Sequence, residues 1–63
     1  MIPIGLYHNL TIVRNTSVGM FLTNGTDEIL LPLKDVPENA NIGESVEVFV
    51  YLDHEERPVA TTL

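Results

Sequence analysis

The sequence predicts an all-β fold, a small five-stranded barrel, and three observations predict it. Apolar residues recur with a period of two and nowhere with a helical period. Proline and glycine fall singly between short apolar runs, and Asn24-Gly25 joins two of those runs as a hairpin signal. With 63 residues and no cysteine, the chain reads as one domain whose core comes from packing alone.

The first strand is expected over Leu6–Arg14, where Leu10 and Ile12 alternate with Thr11 and Val13 among β-branched neighbours. Val18–Thr23 forms the second. Asn24-Gly25 supplies two residues tolerant of positive φ, so a type I′ turn pairs the second strand directly with a third at Asp27–Leu31, which Pro32 ends. Leu33–Gly43 lacks alternation and is a crossing loop with one short 3₁₀ turn at most.

Val46, Val48, Val50 and Leu52 then form the inward face of a fourth strand, alternating with Glu47, Phe49, Tyr51 and Asp53. "DHEE" (Asp53–Glu56) is a polar turn, and Arg57–Thr62 is a fifth strand with Pro58 near its start. Five short strands with one hairpin and one long crossing loop suit a Greek-key barrel of the oligonucleotide/oligosaccharide-binding (OB) type. A Src-homology-3-like barrel is the structural rival.

Nine acidic against three basic residues give a net charge of −6, which opposes nonspecific attraction to phosphate backbones and anionic lipids. No apolar stretch approaches the roughly 20 residues of a membrane span. The N-terminus, "MIPIGLYHNL", lacks the basic and long apolar regions of a signal peptide, so a cytoplasmic location is expected. No nucleophile–base set or glycine-rich phosphate loop is present, and His54 within "DHEE" has no second ligand cluster to complete a metal site. Neither an enzyme, a cofactor nor a small-molecule substrate is expected.

The ordered set "VGMFL", "EILLP", "IGESVEVFVYLD" and "RPVATT" resembles the S-one RNA-binding repeat, an OB-fold module, from about Leu6 to Thr62. More closely, it resembles the N-terminal S-one-like domain of the bacterial conserved virulence factor B family. The resemblance implies a cytoplasmic bacterial protein with several S-one-like domains and a winged-helix domain, RNA being bound across them. Residues 1–63 would be its first module, the chain continuing beyond Leu63. The partners implied are single-stranded RNA and the neighbouring S-one-like domains.

Within that pattern, Gly19 is expected to form a β-bulge that keeps Met20 and Leu22 in the core while Phe21 faces outward as a base-stacking platform. The resemblance places a second aromatic where Val18 stands and a histidine near Pro32, so two of three platform side chains are missing. Arg14, Lys34 and Arg57 are the candidate phosphate contacts. Phe49 and Tyr51, adjacent on one face of the fourth strand, are a candidate docking patch for another domain or a basic partner. Weak RNA binding by the module alone is the expectation, and a pure protein-interaction module is the alternative.

Overall fold

The computed structural model describes residues 1–62. Its strands are β1 (Tyr7–Thr16), β2 (Gly19–Thr23), β3 (Glu28–Pro32), β4 (Ser45–Leu52) and β5 (Pro58–Thr61), with a 3₁₀ turn at Leu33–Asp35. They close into a barrel in the order β1-β2-β3-β5-β4, with β4 pairing back onto β1. All junctions are antiparallel except β3–β5, which is parallel and in register at Leu30 opposite Val59. This all-β, five-stranded closure is the OB arrangement rather than its rival.

Alternation fills the interior as expected. Leu10 and Ile12 of β1, Met20 and Leu22 of β2, Ile29 and Leu31 of β3, Val48 and Val50 of β4, and Ala60 of β5 are all buried. Leu52 departs from the expectation: it pairs with Pro58 at the last rung of β4 and is 43% exposed. Ile2 departs the other way, joining the core at 4% exposure although it precedes every strand. The Gly5 amide donates to the Val50 carbonyl and the Val50 amide to that of Leu6, so the segment before β1 continues the β1–β4 ladder. Burying one such side chain contributes about 1.5–3 kcal/mol, which makes these first residues part of the fold.

Two local expectations are corrected. The bulge lies in β1 and not at Gly19: Ile12 pairs with Leu22 and Arg14 with Phe21, leaving Val13 as the extra residue, whereas the β2–β3 register runs unbroken from Gly19–Pro32 to Thr23–Glu28. Gly19 instead permits a close approach. A Cβ there would lie inside van der Waals contact with the Leu31 carbonyl oxygen and 2.9 Å from the Leu33 amide nitrogen, on a backbone at φ +145°.

The Asn24-Gly25 turn is also longer than a type I′ turn. Thr23 and Glu28 form the last rung, so residues 24–27 make the loop, and only Gly25 among them has positive φ. The Asn24 side chain explains this, because its Oδ1 accepts from the Thr26 and Asp27 amides at 3.0 and 2.8 Å. Such an Asx turn competes with the tighter hairpin that the Asn-Gly pair otherwise favours.

The parallel seam is reinforced beyond its single rung. Asp35, 7% exposed at the end of the 3₁₀ turn, accepts the Thr61 hydroxyl on Oδ2 at 3.2 Å, and its carbonyl accepts the Thr62 hydroxyl at 2.6 Å. These bonds tie the exit of β3 to the end of β5 and satisfy a buried carboxylate.

Close approach at Gly19 gives a stability prediction. Gly19→Ala lowers unfolding free energy by at least about 2 kcal/mol, combining overpacking with a disfavoured φ. Gly25→Ala, where a Cβ meets nothing within 4 Å, loses less. Urea unfolding of both variants checks the order, and an equal loss at the two sites contradicts the close-approach role of Gly19.

Candidate nucleic-acid interface

The bulge at Val13 decides what the outer surface carries. In an unbroken strand Arg14 would follow Leu10 and Ile12 onto the core face. The extra residue turns it outward, opposite Phe21. Cross-strand partners share a face, so Arg14, Phe21, Leu30, Val59 and Tyr51 form one continuous outward row around the barrel.

On this row a cleft of about 230 Å³ opens over the β3–β5 seam, lined by Phe21, Leu30, Val59, Pro58, Asp53 and Arg57. Its floor is apolar. One wall is the β4–β5 turn, built around Asp53, whose Oδ1 accepts the amides of Glu55 and Arg57 at 2.9 Å each while its own amide donates to the Arg57 carbonyl. Arg57 Nε returns to Asp53 Oδ2 at 3.2 Å, and its terminal nitrogen Nη2 reaches Glu55 at 3.3 Å. The Arg57 amide holds the Asp53 carboxyl below its ordinary 3.8; the Glu55 amide and the Arg57 charge add to this, against a partial desolvation.

Two of the three expected cations therefore reach the outward row, and both are already paired. Arg14 lies over the Phe21 ring at 4.3 Å from its centroid and contacts Glu28 Oε1 at 2.6 Å. Arg57 is held by Asp53 and Glu55. Lys34 stands exposed on the 3₁₀ turn, does not line the cleft, and makes no hydrogen bond or ion pair among the described residues. Val18 occupies the β1–β2 turn at 60% exposure, and Pro32 pairs with Gly19 at the far end of β2 from the cleft's mouth at the β4–β5 turn. Phe21 is the one aromatic ring among the residues that line the cleft.

Phe49 and Tyr51 face outward on β4, and Tyr51 extends the row by pairing with Val59. Phe49 meets Tyr7 of β1, the ring centroids 5.2 Å apart and the planes tilted by 60°. Tyr7, 66% exposed, was not singled out from the sequence, although its place opposite Phe49 follows once β1 and β4 pair. For Asp53, too, the sequence predicts an outward strand end and a turn residue but no part in a site. Its spacing of four from Arg57 across a tight turn was the available signal.

These features, an outer β2–β3 face with an aromatic and a flanking β4–β5 loop, are where OB barrels take nucleic acid. The S1 domain family model matches residues 4–63. The chain belongs to the S1 domain family. S1 domains are RNA-binding modules generally and typically non-enzymatic. This S1 domain is 44% identical over 52 residues to the uncharacterized protein YitL of Bacillus subtilis (strain 168), covering 82% of the chain and 17% of that protein. It therefore spans less than a fifth of that relative's length. No solved structure matches it. Among the described residues, no group of three or more His, Asp or Glu side chains converges as a metal site, and no helix is long and apolar enough to cross a membrane.

The Asp53 shift sets a pH expectation. A depressed carboxyl favours the folded turn above the ordinary 3.8 and loses that contribution as pH falls through its lower folded value. In an NMR titration the Asp53 carboxyl midpoint lies below 3.8, and the Glu55 and Arg57 amide signals move with it. A midpoint at or above 3.8 contradicts the capping geometry.

Proposed function

We propose that this S1 domain binds single-stranded RNA weakly, as the first module of a multidomain, cytoplasmic bacterial RNA-binding protein like those of the conserved virulence factor B family. The cleft that brings Phe21 beside Arg57 over the β3–β5 seam carries the reading. A base seated there stacks on or against Phe21, over the apolar floor of Leu30, Pro58 and Val59. Arg57 stands at the wall, where a phosphate or base edge passes. Lys34 contacts backbone phosphate only in a strand that runs on past the β1–β2 turn, since it lies off the cleft.

Magnitudes support weakness. One stacked base contributes about 1–3 kcal/mol, and a millimolar complex needs about 4 kcal/mol. Two of three cations are neutralised by carboxylates, so little counterion release is left to add. The remaining affinity comes from other domains through effective concentration. A relative nearly six times longer than the matched segment supports such an array.

A second reading concerns the surface that continues the row past Val59 onto β4 and β1. The Tyr7–Phe49 ring pair with Tyr51 forms an aromatic face on β1 and β4, Tyr7 exposed and the other two half-buried, which we assign to contact with a neighbouring S1-like domain. In a longer polypeptide that includes the adjoining domain, these three rings lose solvent accessibility. Unchanged accessibility removes the assignment.

Titration of short single-stranded RNA into the chain at low salt, followed on backbone amides, tests the first reading. Shifts concentrate at Phe21, Leu30, Val59 and Arg57, and Phe21→Ala weakens binding about tenfold. Shifts absent at millimolar RNA, or spread without regard to the cleft, overturn it.

A further inference from the structure

The S-one pattern lacks its second aromatic here, and a different side chain occupies the space beside Phe21. We propose that the Arg14 guanidinium, lying over Phe21 at the edge of the cleft, is a second stacking surface for an unpaired nucleobase beside the one that Phe21 offers; this rests on the RNA-binding reading above. The bulge at Val13 turns Arg14 to the outer face, directly opposite Phe21. Its guanidinium carbon lies 4.3 Å from the ring centroid.

Glu28 makes this a platform rather than a phosphate clamp. Its Oε1 accepts from Arg14 at 2.6 Å, reaching from β3 across β2, so the positive charge is already matched. What remains available is the planar face of the guanidinium, a surface on which bases stack in RNA complexes. The ring contacts the group and the carboxylate accepts from it, and both contacts favour the position over Phe21. Phe21 lines the cleft and Arg14 lies over its ring, so the guanidinium adds a second layer at the edge of the cleft, on the path of a strand that leaves Phe21.

Lysine separates the roles, because it keeps the charge and the reach to Glu28 but has no plane. The affinity of a short single-stranded RNA is measured at several salt concentrations for wild type, Arg14→Lys, Arg14→Ala and Phe21→Ala, with amide dispersion confirming each fold. Arg14→Lys and Arg14→Ala each weaken binding about five- to tenfold, and the salt slope of Arg14→Ala equals that of wild type. Wild-type affinity in Arg14→Lys, a slope reduced in Arg14→Ala, or tighter binding by Arg14→Ala overturns the platform. The last result would make Arg14 a cover on the Phe21 ring. Loss of binding in Phe21→Ala alone leaves the RNA reading intact while removing this one; absence of wild-type binding removes both.

Discussion

The barrel depends on one parallel rung. Four of its junctions are antiparallel ladders, while β3 and β5 meet in register only where Leu30 faces Val59. Parallel neighbours cannot be joined by a hairpin, so the chain must pass through the crossing loop and β4 before β5 can close the sheet. Side chains complete what the backbone leaves thin: Asp35, anchored by the Thr61 and Thr62 hydroxyls, holds the two strands together past the rung. The same sparse junction makes the site, because Leu30 and Val59 are both its closure and the floor of the cleft.

A single added residue then determines the chemistry above that floor. Val13 breaks the parity of β1, and the side chain delivered to the surface is an arginine rather than the apolar residue the core position would demand. Arg14 settles between Phe21 and Glu28, and Arg57 settles between Asp53 and Glu55. In both cases a cation is shaped by carboxylates before any ligand arrives. Exposed pairs of this kind add little to stability, at most about 1 kcal/mol each. Their consequence is geometric, fixing where a guanidinium sits and removing its long-range pull on phosphate.

Much of this was legible in the residues. The alternation of β4, the inward Leu10 and Ile12 and the outward Phe21 follow from a period of two, and the pairing of β2 with β3 from the Asn24-Gly25 turn between them. The bulge was not, because Val13 is β-branched and suits a regular strand; the glycine six residues later carries the usual mark of a bulge but serves a close approach instead. The length of the β2–β3 loop was hidden for a related reason, since Asn24 can bend the chain either through its own backbone or through its side chain, and only tertiary context selects. Tyr7 acquires its role from β4, far along the chain, and Ile2 from a core that strands distant in sequence assemble, so neither is legible locally. Asp53 shows the same limit at the site: its carboxylate looks like turn punctuation until the turn folds over the cleft.

Pairing the arginines internally also governs how copies of the molecule treat one another. With two cations matched locally, the surplus of acidic groups behind the net charge of −6 is left without compensation on the surface. Closure removes the free strand edge that would template a second chain, and mutual repulsion opposes contact through Tyr7, Phe49 and the exposed Leu6 and Leu52. A surface that carries aromatic rings is thereby kept dispersed at low ionic strength. Added salt or a polycation screens the repulsion, and self-association then depends on the composition of the solvent rather than on any change in the fold.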